Sequence, residues 1–290
     1  MQKLIVLILL FFFSYGINAQ LVEVRADYTA VGDVQFSAYN NTKAPLYLNI
    51  DFADLENTTF DEPLPYIKLL EPGFNSLFTL LRRLDADVPR FNYQIKTYRS
   101  NPMAIVNLDF PYLIPLEEGE KAEIFDVKSI TGFWGNKEPE SWNVTGFKVN
   151  RGDKIFAGRS GTVVETVGQS RSKDPLLWYH TWTNSITVLQ PDGTLIVYRN
   201  VRVKNKDIEV GERIFAGQYI GDAVADNLIL LIFQHSMDDE DPRFIIPQFV
   251  TAEDKQELLI SAKTYDVVHP NEIIQKEMTR KEIRKHKRRK

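Results

Sequence analysis

Cysteine is absent from this chain of 290 residues, and histidine occurs only four times, at positions 180, 235, 269 and 286. Without thiols there is no disulfide framework, no cysteine-ligated zinc and no lipid-modified N-terminal cysteine. Stability must come from buried apolar cores, which a chain of this length can build. Long hydrophobic runs are missing too. The longest, residues 4–13, spans ten positions, half of the ~20 that a membrane-crossing helix requires. With Lys3 before it and Ala19 after it, that run reads as a secretory signal over residues 1–19. The expectation is therefore an exported protein, in the periplasm or at the cell surface. A basic body is missing as well. Residues 271–290 hold nine Lys or Arg against three Glu, so the whole chain's −4, less this +6 and Lys3, leaves about −11 on residues 20–270. Such an acidic body argues against nucleic acid as a partner.

What is present is the composition of a folded β protein, with 43% hydrophobic residues and 12% aromatics, too apolar for disorder. Short runs of period two fill residues 21–60: Val22 and Val24, Val34 and Phe36, Leu46, Leu48 and Ile50. Gly32-Asp33, Asn40-Asn41 and Asn57 punctuate them, a rhythm that predicts an antiparallel sandwich. Residues 91–98 alternate cleanly and predict a strand, whereas 77–84 is too short to assign. Residues 112–116 read as a strand turning at Glu118-Gly119, with 122–127 as its return. The centre of the chain is residues 186–221. There Pro191-Asp192-Gly193 separates two apolar arms, and Asp-Gly predicts a hairpin turn with positive φ. Thr194, Ile196 and Tyr198 alternate with Leu195 and Val197 as a half-buried strand would. A heptamer, Gly152-Asp153-Lys154-Ile155-Phe156-Ala157-Gly158, returns fifty-nine positions later as Gly211-Glu212-Arg213-Ile214-Phe215-Ala216-Gly217, with five residues identical and two conserving charge. Two copies predict a duplicated strand–turn unit within one β-domain, not a solenoid. Residues 244–247 read as the last strand, and 271–290 as a basic tail with Ile273, Ile274, Met278 and Ile283 on one helical face.

The spacing Gly152-x-x-Ile155-x-Ala157-x-x-x-Gly161-x-Val163, then Asp192-Gly193 and Tyr198, then Val210-Gly211-x-x-Ile214-x-x-Gly217-x-x-Ile220-Gly221 resembles the core of the lysostaphin/LytM-type zinc endopeptidases, peptidase family M twenty-three. Upstream, Tyr112, Pro115 and Gly119 fit a pattern that ends the N-terminal β-domain of some exported LytM-like proteins. The resemblance implies an all-β fold: an N-terminal β-sandwich-like domain (20–130), a LytM-type antiparallel β core with a duplicated hybrid motif (131–255) and a short basic helix or tail (256–290). It also implies where zinc chemistry would sit. Active members hold zinc through a His, an Asp four residues later and the second His of His-x-His, leaving one position open for a metal-activated water. Further histidines stand in a Tyr-x-His and first in the His-x-His. Aligned on Gly152, Tyr198 and Phe233, those positions fall on Trp142, Gly146, Asn200, Leu230 and Ile232, none of which ligates zinc.

A relocated metal site would need the four scattered histidines, or acidic partners, to converge without recognisable spacing. The run Asp238-Asp239-Glu240-Asp241 lacks the glycine and spaced oxygens of a calcium loop and reads as a solvated turn. No Gly-x-Ser-x-Gly nucleophile motif occurs. Trp178, Tyr179 and Trp182, in an insertion near 170–183, would join Tyr198 and Trp142 as groove residues that stack on glycan or cover peptide. Their blander role is to cap the β core. For the basic tail, contact with an anionic surface competes with a solvated, frayed helix. The expectation is thus a LytM-like module without zinc or catalytic residues, binding cell-wall peptide, glycan or an envelope protein. The alternatives are a zinc endopeptidase with relocated ligands and a structural envelope protein.

Overall fold

The computed structural model describes residues 20–127, 139–168, 184–204, 208–237, 242–252 and 255–288. The signal segment, the aromatic insertion with Trp178, Tyr179, His180 and Trp182, and the acidic run 238–241 lie outside the described residues.

The N-terminal half is a sandwich of two antiparallel sheets. One orders Val22–Tyr28, Val34–Asn40, Gly73–Arg82 and Thr58–Thr59; the other orders Tyr66–Leu70, Leu46–Glu56 and Arg90–Tyr98. Period-two patterning does what the sequence promised. Val34, Phe36 and Ala38 are buried, while Gln35 and Tyr39 face solvent. Phe36 sits at the centre, its ring 4.7 Å from Phe78, 5.3 Å from Phe91, 5.4 Å from Tyr93 and 5.9 Å from Phe52. Edge and offset contacts of this kind favour aromatic packing beyond area burial alone.

The second half is built on a long antiparallel sheet running Arg213–Ile214, Gly161–Val167, Ser185–Leu189, Leu195–Arg199, Asn227–Gln234, Val144–Lys148, Lys121–Asp126 and Thr264–Asp266. The two heptamers are related by reciprocal pairing. Lys154–Phe156 of the first lies against Tyr219–Ala223, the strand that follows the second. Arg213–Ile214 of the second lies against Gly161–Val167, the strand that follows the first. They also touch directly, Ala157 N–H donating to Gln218 and Gly217 N–H to Ala157, each at 2.8 Å. Gly152 and Gly211 open their copies with φ of 101° and 96°, a left-handed turn that other residues adopt only with strain. At Gly211 a Cβ would also drive into the Lys43 carbonyl.

Several expectations need correction. The arm 194–198 is not half-buried: Leu195, Ile196, Val197 and Tyr198 are all inaccessible, because apolar clusters cover both faces of the sheet. In the hairpin turn only Gly193 has positive φ (86°), and the loop closes through Gly193 N–H to Gln190 and Gln190 N–H to Thr194. The strand Pro111–Leu113 is not answered by 122–127; it pairs in parallel with Gln248–Ala252, and Lys121–Asp126 pairs with Val144–Lys148. A boundary at 130 therefore does not separate the sheets. Nor is 244–247 the last strand, since Gln248–Ala252, Lys255–Glu257 and Thr264–Asp266 follow it. The tail is neither frayed nor merely solvated: helices Asn271–Gln275 and Arg280–Lys287 dock through buried Ile274 and Met278 against Leu113 and Ala216.

Candidate functional site

Strand register decides what the five aligned positions can do. In the ladder between Val144–Lys148 and Asn227–Gln234, Thr145 faces Leu230 and Gly146 faces Ile229. Directly opposed residues share a face and neighbours along a strand do not. Gly146 therefore lies on the face of Ile229 and Leu231, and Leu230 and Ile232 lie on the other. Tyr198 opposes Leu230 and Ile196 opposes Ile232 in the next ladder, which puts Tyr198 with the latter pair. Trp142 belongs with Gly146, packed in the cluster of Leu231, Phe233 and Val197. The sheet itself separates the two groups.

Each position is also filled. Leu230 and Ile232 are 2% exposed within the cluster that holds Phe147, Ile186 and Tyr198. The Phe125 ring occupies the space over Gly146, where a Cβ would approach to 2.5 Å. Trp142 stacks near Phe244 at 5.0 Å and donates its indole N–H to the Val127 carbonyl at 3.0 Å. Asn200 has φ of 69°, a left-handed conformation that asparagine tolerates better than most residues. Its amide donates to the Asn227 carbonyl at 3.2 Å and to Asn227 Oδ1 at 2.5 Å. Tyr198 accepts the Gly158 N–H at 2.8 Å through its hydroxyl, and burial raises its pKa against the lowering effect of that hydrogen bond. These residues do not fit zinc: they supply no ligand set and do not all lie on one face. Among the described residues, no three His, Asp or Glu side chains converge as metal ligands.

The chemistry-bearing cluster that the structure does assemble is centred on an arginine that no motif flagged, although Tyr112 and Asp192 belong to it. Arg159, directly after the first heptamer, is only 3% exposed. It pairs with Asp192 of the hairpin turn at 2.6 Å and with Glu277 of the C-terminal segment at 2.8 Å. Its guanidinium lies 3.7 Å from the centre of the Phe110 ring and donates to the Tyr112 hydroxyl at 3.1 Å. Tyr112 donates in turn to Gln190 Oε1 at 2.9 Å, which also accepts from Thr194 at 2.6 Å. Burial pushes Tyr112 up to about 12, so it stays a neutral donor. Burial also raises Glu277, against the pull of Arg159. The second heptamer carries Gln218 at the equivalent place, so the duplication itself gave no hint of an arginine hub. Of the histidines, His235 lies 1% exposed between the halves, its Nδ1 2.7 Å from Ser100 Oγ.

No protein-family profile matches the chain, and no curated protein matches it. Among solved structures it is similar to the catalytic domain of the antimicrobial peptidase lysostaphin from Staphylococcus simulans, at 21% identity over 44% of this chain and 88% of that one, with a TM-score of 0.29. It is also similar to Helicobacter pylori Csd3, at 10% identity over 89% of this chain and a TM-score of 0.35. The chain spans 55% of the length of that protein.

Proposed function

We propose that this protein is an exported, non-catalytic relative of the LytM-type endopeptidases, acting at the cell envelope as a binding or scaffolding module. The observation that carries this reading is the register: the positions that align by sequence with the family's zinc ligands, Trp142, Gly146 and Ile232, are divided between opposite faces of one sheet, amid packed side chains. Zinc hydrolysis needs three ligands converging on one point with a fourth position open to water. Packed Leu230 and Ile232 supply neither. The resemblance in the duplicated heptamers and their glycines supports a peptidoglycan-related setting, with wall peptide, glycan or an envelope protein as the partner. Because Tyr198 lies inside the core, it makes no contact with that partner.

The test is to incubate the purified protein with insoluble peptidoglycan and with a pentaglycine peptide. Co-sedimentation with the wall and no release of fragments is expected. Fragment release that stops on adding a chelator would establish the zinc endopeptidase instead. Neither binding nor cleavage would leave the structural envelope protein.

A further inference from the structure

Two surfaces that are exposed among the described residues flank the Arg159 hub. The first is the loop between Arg90–Tyr98 and Pro111–Leu113. It is anchored by buried Pro102 and Phe110. Two asparagine turns also hold it, Asn101 Oδ1 accepting from Met103 N–H at 3.0 Å and Asn107 Oδ1 from Asp109 N–H at 3.1 Å. From this rigid base Met103, Ile105 and Leu108 project outward, Ile105 at 94% exposure. Ile246, half-exposed, stands two residues before Gln248, which pairs with Pro111 at the end of this loop. Apolar side chains grouped on a fixed loop and rimmed by asparagines mark a contact surface.

The second is the helix Arg280–Lys287. Thr279 and Glu282 form its capping box, Glu282 also pairs with Arg213 at 3.1 Å, and Ile283 packs toward Ala216 and Met278. Its apolar side and its one carboxylate are thus turned to the body, and only its basic side remains exposed among the described residues. Arg280, Lys281, Arg284, Lys285, Lys287 and Arg288 face solvent. Like charges four apart on a helix repel, so this face is held at a cost that an anionic partner would offset.

Arg159 joins the two. Its guanidinium stacks on Phe110, two residues beyond Leu108, and pairs with Glu277, three residues before Arg280. We infer that this pole is a peripheral membrane-binding surface for anionic phospholipid, with the apolar loop entering the headgroup–acyl boundary and the basic helix lying on phosphate headgroups. A soluble polyanion would match the helix and leave the loop unexplained. A protein partner would match the loop and gain little from a helix with one sign of charge. Only a bilayer surface offers greasy depth and anionic oxygens side by side. The inference does not depend on whether the core hydrolyses anything.

The experiment is vesicle flotation of the purified protein, comparing phosphatidylcholine alone with phosphatidylcholine containing phosphatidylglycerol. Binding to the anionic vesicles only, falling as salt rises, is expected. Reversing Arg284, Lys285 and Lys287 to Glu should weaken it roughly a hundredfold or more, at about fivefold per lost basic residue. The pair Ile105→Ser and Leu108→Ser, both solvent-exposed, should weaken it roughly tenfold. In a separate variant, Ile105→Trp should show blue-shifted emission with anionic vesicles beyond the change in the parent protein. Undiminished binding by the loop pair, no shift at position 105, or binding of inorganic polyphosphate without vesicle binding would each overturn the proposal.

Discussion

At the scale of single residues, the account turns on glycines and on what stands over them. Gly146, which the sequence aligns with the family's aspartate, is covered by Phe125 so closely that even a methyl group must displace the ring. Gly161 is tighter: a Cβ there would meet Val188 Cγ1 at 2.5 Å and the Leu189 carbonyl as well. A ring can tilt more easily than a paired backbone can retreat. Gly146→Ala should therefore cost about 1–3 kcal/mol and Gly161→Ala more, read by urea unfolding of both variants. An unchanged midpoint for Gly161→Ala would contradict the packing described. Part of this was legible in the sequence. The glycines of the duplicated heptamer announced turns, and the apolar character of Leu230 and Ile232 announced their burial. Arg159 was not legible, because no periodicity marks an arginine that finds its partners thirty-three residues ahead and at the far end of the chain.

Among elements, the hairpin turn, the strand Pro111–Leu113 and the C-terminal helices are joined through one buried guanidinium. Removing it takes from Asp192 and Glu277, each nearly enclosed, the guanidinium with which both pair. Breaking a buried pair from one side costs about 3–5 kcal/mol. Arg159→Met should show a loss of that order, with the segment after Pro270 becoming the first site of limited proteolysis. Glu277→Gln, which keeps the shape and a hydrogen-bonding oxygen, should lose less. Equal protease resistance in Arg159→Met and the parent would mean that the apolar contacts of Ile274 and Met278 hold the tail unaided. The sequence revealed strands where one face met water, as in Val34–Asn40. In Leu195–Arg199, covered on both faces, the strand was legible but its full burial was not, because alternation loses its meaning once polar positions vanish. Parallel pairing of Pro111–Leu113 with Gln248–Ala252 joins residues far apart in the chain, and short-range patterns carry no trace of it.

For the whole molecule, the sandwich and the long sheet are tied at a joint that should sense pH. His235 is enclosed by the rings of Tyr98 and Phe233, with Ser100 Oγ between its Nδ1 and its own backbone N–H. Burial lowers its pKa from 6.5 to about 4. The unfolded chain therefore takes up this proton first, so the contribution is complete above about 6.5 and is lost as pH falls toward 4. The gap amounts to about 3 kcal/mol. Thermal melts from pH 7 to 4 should show that slope, and His235→Gln should flatten it; the same slope in the variant would place the titration elsewhere. The larger claim is that this sheet keeps a hydrolase-like pattern while its register and packing deny it a metal. Mass-spectrometric metal analysis of protein purified without chelator, then equilibrated with zinc and desalted, tests that most directly. The account predicts zinc far below one atom per chain. One tightly held zinc per chain would contradict it.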